Sequence, residues 1–206
     1  MSTYSDNLNK AQQLITRNFD NIQTIEKTSF WINDVDPKIE LSSVSVPNWL
    51  KIRQKSGHEC TLFPVDGNHG TFRKEGLVVR NDSLFSYKWK TENGITEKNA
   101  GDCDCLIIDE KWRFIEFKIE ASSQDIDQMN NNRNKGEAQL ARSMTSFREQ
   151  LSENTLSCEC VLVVPKFFSF PKHKASLLPR KLRFLKLFET ELKEITNDGN
   201  ENYDLF

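Results

Sequence analysis

The chain has 206 residues, 28% of them charged and 37% apolar, with a net charge of −2. That length buries one real core, and the composition is that of a folded domain rather than a disordered or fibrous one. No apolar run approaches the ~18 residues that span a bilayer, and the near-neutral balance excludes a generic nucleic-acid coat.

In chain order, a helix is expected from Ser5 to about Ile25, because Leu8, Ala11, Ile15, Phe19, Ile22 and Ile25 recur at helical spacing. Short, turn-rich apolar runs follow, read as an insertion at about 33–75. Gly76-Leu77-Val78-Val79 and Leu84 to Trp89 are candidate strands. Cys103 to Asp109 and Phe114 to Glu120 read as two strands joined by the tight turn Asp109-Glu110-Lys111-Trp112. A polar loop covers Ser122 to Lys135. A second helix runs from about Gly136 to Leu151, with Leu140, Met144, Phe147 and Leu151 as its core stripe. Lys135, Gln139, Arg142 and Ser146 form its polar flank. Cys158 to Pro165 is a buried strand stopped by proline. A last helix is expected from about Pro179 to Ile195, with Leu182, Leu185, Phe188, Leu192 and Ile195 inward. The tail 196–206 is expected to fray.

The chemistry concentrates in the two joined strands. Side chains alternate along a strand, so Ile115, Phe117 and Ile119 share one face and Glu116, Lys118 and Glu120 the other. Asp104 opens the first strand, with 11 residues between it and Glu116. A carboxylate on one strand, with a carboxylate and an ammonium on its neighbour, can meet at one sheet end. Such a set suits a divalent metal and hydrolysis of a phosphodiester. Glu-x-Lys alone is also what an amphipathic hairpin shows on its polar face.

Asp104 followed by Glu116-Phe117-Lys118 resembles the D…ExK signature of the PD-(D/E)XK nuclease superfamily, with Cys103 standing where that name carries proline. The resemblance covers roughly residues 100–165, and the first helix by order. It implies an α/β fold: a central mixed sheet flanked by helices, built on a restriction-endonuclease-like αβββαβ core. It also implies a metal-dependent nuclease, in which Asp104, Glu116 and the carbonyl of Phe117 ligate Mg2+ or Mn2+. Lys118 would position the attacking water, and Gln139 would match a glutamine that points into the active site in several branches. Asp102 is the alternative ligand to Asp104. Lys135 and Arg142 are candidates to hold the backbone phosphate.

From Val161 to Phe188 there are seven basic residues and no acidic one, which leaves the remainder of the chain at −9. Lys172, Lys174, Arg180 and Lys181 in that segment are the expected nucleic-acid contacts. Phe167, Phe168 and Phe170 between them would either stack bases or pack the core. Two Cys-x-Cys pairs within strands favour buried thiols over zinc, and an odd count of five argues against a disulfide framework. Met1 to Asn7 lacks the pattern of a secretion signal, so a cytoplasmic location is expected.

The whole reads as one nuclease-like domain over 1–195 with a flexible tail. It would act on nucleic acid, DNA before RNA, without a membrane partner, in a defence or restriction-type setting. A homodimer or multi-subunit assembly is left open. The competing reading is a non-catalytic nucleic-acid-binding or scaffold subunit of a larger complex.

Overall fold

The computed structural model describes residues 3–14, 22–35, 38–65, 85–119, 125–151, 156–169, 177–197 and 202–206. Chain order begins with α1 (Tyr4–Leu14), β1 (Gln23–Ile25), β2 (Ser29–Val35), β3 (Lys38–Ser42), β4 (Leu50–Arg53) and β5 (Cys60–Pro64). A hairpin of β6 (Ser86–Thr91) and β7 (Gly94–Asn99) leads into β8 (Cys105–Ile108) and β9 (Trp112–Phe117). Then come α2 (Ile126–Leu151), β10 (Cys158–Val164), a 3-10 turn at Lys166–Ser169, α3 (Leu177–Phe188), β11 (Glu191–Thr196) and β12 (Asn202–Asp204). The class is α/β with mixed sheets and three α-helices among the described residues.

The central sheet has six strands in the order β1-β5-β8-β9-β10-β11. β8 runs antiparallel to both of its neighbours, β5 and β9, and β9, β10 and β11 run parallel. A second sheet, β12-β4-β2-β3, and the separate β6-β7 hairpin complete the strands.

Both faces of the central strands are dry, which is why β8 and β9 read as near-continuous apolar runs. Leu106, Ile108, Trp112 and Phe114 pack with Leu140, Met144 and Phe147 of α2. Cys105, Ile107, Ile115 and Phe117 pack with Phe30, Ile32, Leu50 and Ile52 of the second sheet. The sheet is therefore the middle of three layers. The face carrying Glu116 is not a solvent face, as simple alternation suggests, but the one that α2 covers.

Several elements differ from the sequence reading. α1 begins in a reciprocal Thr3–Asp6 cap, and 23–25 is a strand rather than the end of that helix. Ile15, Phe19 and Gly76 to Val79 lie outside the described residues. The region expected as an insertion contributes β5, a central strand, whereas β6 belongs to a hairpin outside the central sheet. α2 starts ten residues before the expected Gly136, at Ile126. Asp125 caps it by accepting the amides of Asp127 and Gln128, both at 3.0 Å.

The last expected helix is two elements. It stops at Phe188, where Glu189 adopts a left-handed φ of 51° and its amide reaches Leu185 O at 2.9 Å. Leu192 and Ile195 are then buried from β11. Leu182 and Leu185 are exposed, and Phe184 is the buried residue of α3.

The tail does not fray at its end, because β12 pairs with β4 and Tyr203 is buried in the second core. Tyr203 donates to Glu159, which also receives Lys193 at 2.5 Å and Arg113 at 3.3 Å. Arg113 pairs with Asp109 as well. This buried network ties the chain end to the sheet. No helix among the described residues is long and apolar enough to cross a membrane.

Burial pushes the Glu159 carboxyl up, but the hydrogen bonds from Lys193 and Tyr203 and the charge of Arg113 together hold it below its ordinary value. A depressed carboxylate stabilises the fold above its unfolded pKa, and that contribution is lost as pH falls through the folded value. Melting of the wild type and Glu159→Gln should therefore converge between about pH 5 and pH 3, after a clear wild-type advantage at neutral pH. Parallel melting curves across that window would remove Glu159 from the stability account.

Candidate active site

Register builds the site. Cys105 pairs with Ile115 across β8 and β9, so one further step sets Asp104 across from Glu116. Residues opposite one another share a face, here the α2 face. Asp104 is nearly buried, and its Oδ2 accepts the Phe117 amide at 2.5 Å. Glu116 is fully buried. Lys118 forms an ion pair with Glu116 Oε1 and donates to the Phe117 carbonyl at 3.2 Å.

α2 closes the site from above. Gly136 is the point of closest approach: a Cβ there would meet Leu162 Cδ1 at 2.4 Å, Glu116 Cγ at 3.5 Å and Lys118 Cγ at 3.6 Å. One turn on, Gln139 donates Nε2 to the Asp102 carbonyl at 2.9 Å. Arg142 donates to the Ala100 carbonyl and lies 3.8 Å from Asp102 Oδ1. The segment leading into Asp104 is thus held by two side chains of α2.

Among the described residues, two oxygen atoms here are buried without a hydrogen-bond partner, Glu116 Oε2 and Gln139 Oε1. Leaving a buried acceptor unsatisfied costs about 1–3 kcal/mol, and more for a charged one. The candidate ligands are all oxygen: the carboxylates of Asp104 and Glu116, the Phe117 carbonyl and the Gln139 amide. Such a set fits a hard divalent cation and does not fit a soft metal. Among the described residues, no group of three or more His, Cys, Asp or Glu side chains is placed to hold a metal ion. The fit therefore depends on the carbonyl and amide oxygens as well as the two carboxylates.

The structure brings together Asp104, Glu116, Phe117 and Lys118, while Gln139 holds the Asp102 carbonyl two residues before Asp104. Asp102, the alternative ligand, has its carboxylate on the Arg142 side. The candidate phosphate contacts are dispersed. The Arg142 guanidinium is engaged with Ala100 and Asp102, and Arg180 with Glu137 at 2.6 Å and Asn134 at 2.8 Å. Arg183 also pairs with Glu137, at 3.1 Å, but its side chain stays exposed, so only Arg180 is turned in toward α2. Lys135 and Lys181 are half-buried on α2 and α3. Lys172 and Lys174 lie outside the described residues, as does Phe170, and Phe167 packs against the core.

All five cysteines are free. Burial pushes the thiol of Cys60 up to about 12 and that of Cys158 up to about 11, and it raises Cys103, Cys105 and Cys160 well above the ordinary value. None of them is a ready thiolate.

Sequence reasoning passed over Gly136. A glycine inside a helix costs roughly 1 kcal/mol relative to alanine, and this one marks where helix and strand nearly touch. No family model, curated protein or solved structure matches the chain.

Gly136→Ala should lower stability by about 1–3 kcal/mol through overpacking, against the gain that alanine gives an ordinary helix. Leu162→Val removes the methyl group nearest the new Cβ, so the double variant should be more stable than the two single losses predict together. Additive losses in chemical denaturation would show that the close approach does not set the cost.

Proposed function

We propose that this chain is a metal-dependent nuclease that hydrolyses phosphodiester bonds of nucleic acid, with DNA favoured. The observation that carries the reading is Glu116, buried beneath α2 across from Asp104 and paired with Lys118, with its Oε2 orphaned. The order α1, then β5, β8 and β9, then α2 and β10, supports a restriction-endonuclease-like core. A defence or restriction-type role accords with that core.

Asp104, Glu116 and the carbonyl of Phe117 would hold Mg2+ or Mn2+, with the Gln139 amide oxygen completing the protein side. When bound, the ion supplies a more acidic water and neutralises charge on the reacting phosphate. Lys118 holds its ammonium against Glu116 and the Phe117 carbonyl, on the rim of the buried cluster. There it can orient the attacking water and stabilise charge that develops on the phosphate oxygens. The enclosing layers of α2 and the sheet exclude bulk water, which strengthens that interaction. Gln139 fixes the approach of the Asp104 strand by holding the Asp102 carbonyl.

The second reading, a non-catalytic subunit, is favoured by one observation: Lys118 already neutralises Glu116. The two readings separate in a cleavage assay on single-stranded and duplex DNA and on RNA, with Mg2+, Mn2+ or EDTA. Glu116→Ala should abolish both metal binding by calorimetry and cleavage. Lys118→Ala should keep the ion, because it removes a competing cation, yet lose at least about a hundredfold in rate. A wild type that neither binds a divalent ion nor cleaves any substrate would leave the scaffold reading.

A further inference from the structure

The β6-β7 hairpin is the one two-stranded sheet among the described residues, and every residue of β7 is exposed. Its Gly94, at a φ of 123°, makes the turn. The hairpin is nonetheless fixed firmly. The buried Asn131 of α2 accepts the Lys90 amide at 2.8 Å and donates to the Lys90 carbonyl at 2.6 Å, imitating a neighbouring strand. Lys90 reaches Asp127 at 2.7 Å, and Ala100 closes the base on Phe85 O at 2.9 Å. Directly beyond that base lies the Ala100–Asp102 segment that Gln139 and Arg142 hold beside the site.

One face of this arm is aromatic and cationic. Tyr87 and Trp89 alternate along β6, and the register sets Lys98 across from Tyr87. The Lys98 ammonium lies 4.8 Å from the centroid of the Trp89 ring, which Tyr87 meets edge-on at 6.2 Å. Both rings are half-buried, and among the described residues neither belongs to a hydrophobic core. Rings beside ammonium groups stack unpaired bases and contact the intervening phosphates. A duplex keeps its base faces covered and cannot use such a surface.

We propose that the β6-β7 hairpin is a binding arm for single-stranded nucleic acid that delivers the strand to the Asp104–Glu116–Lys118 site. A base stacks on Trp89 and displaces Lys98 from the ring, and the ammonium moves to the neighbouring phosphate. An exposed cation–π contact is weaker than base stacking, so the exchange runs toward the base. The stated destination of the strand rests on the nuclease reading, whereas the binding surface does not.

The test uses the full chain in EDTA, with fluorescently labelled oligo(dT) and oligo(U) of about 15 nucleotides and a duplex of equal length. Trp89→Ala should weaken binding of the single strands about tenfold and of the duplex less than about twofold. Trp31→Ala is the control, because Lys51 stacks on Trp31 at 5.2 Å on the second sheet and this matching pair should not matter. Lys98→Ala should weaken binding less than Trp89→Ala and flatten its salt dependence. Cleavage with Mn2+ is measured separately. Trp89-dependent binding without any cleavage would sustain the arm and sink the nuclease reading. Cleavage with unchanged single-strand affinity in Trp89→Ala would overturn the arm alone. Equal losses in Trp89→Ala and Trp31→Ala, or no single-strand binding by the wild type, would also overturn it.

Discussion

The burial of Glu116 is the constraint on which the site depends. A carboxylate shut between a helix and a sheet costs several kcal/mol unless charge and hydrogen bonds compensate it. Lys118 supplies that compensation to one oxygen only, and the other has no donor among the described residues. The same low-polarity setting that makes the arrangement costly makes any charge brought to it act strongly. A carboxylate kept there in this state is poorly explained by folding alone. It accords with the hard divalent cation proposed for this site.

α2 makes that burial possible and joins the rest of the molecule to it. Asn131 anchors the hairpin, and Arg133 grips Glu194 of β11 with two bonds of 2.7 Å. Gly136 lets the helix settle onto β9. Gln139 and Arg142 hold the approach to Asp104. Arg148 binds the Phe188 carbonyl at 2.8 Å and Thr190 at 2.9 Å, where α3 turns into β11. Because a single helix makes all of these contacts, a shift at Gly136 would reach the hairpin, the sheet edge and the site together. The buried network around Glu159 lies on the opposite face and secures the second sheet independently.

The shared face of Asp104, Glu116 and Lys118 was legible in the sequence because it rests on local pattern. Asp104, Glu116 and Lys118 sit on adjacent strands joined by a short turn, and period-two alternation places them on one face. What that face meets was not legible, since alternation distinguishes two faces but does not say which is wet. The Asn-rich run 130–134 reads as loop on propensity, yet Asn131 and Arg133 are buried helix residues with tertiary partners, which override propensity. Leu182, Leu185, Phe188, Leu192 and Ile195 keep helical spacing across a real break. The left-handed Glu189 that ends α3 leaves no periodic trace. β5 is five residues long and easily taken for part of a turn-rich stretch. Basic residues could be counted but not partnered, so the acidic Glu137 that engages Arg180 and Arg183 was hidden.

The central claim is that the Asp104–Glu116–Gln139 cluster is a site for one hard divalent cation. Its most direct test is titration of the protein with Mn2+, followed by the paramagnetic resonance signal of the free ion. The account predicts loss of free signal to one bound ion in the wild type, and no such loss in Glu116→Ala or Asp104→Ala at the same protein concentration. A wild-type titration in which all added Mn2+ stays free, or one that Glu116→Ala reproduces, would contradict it.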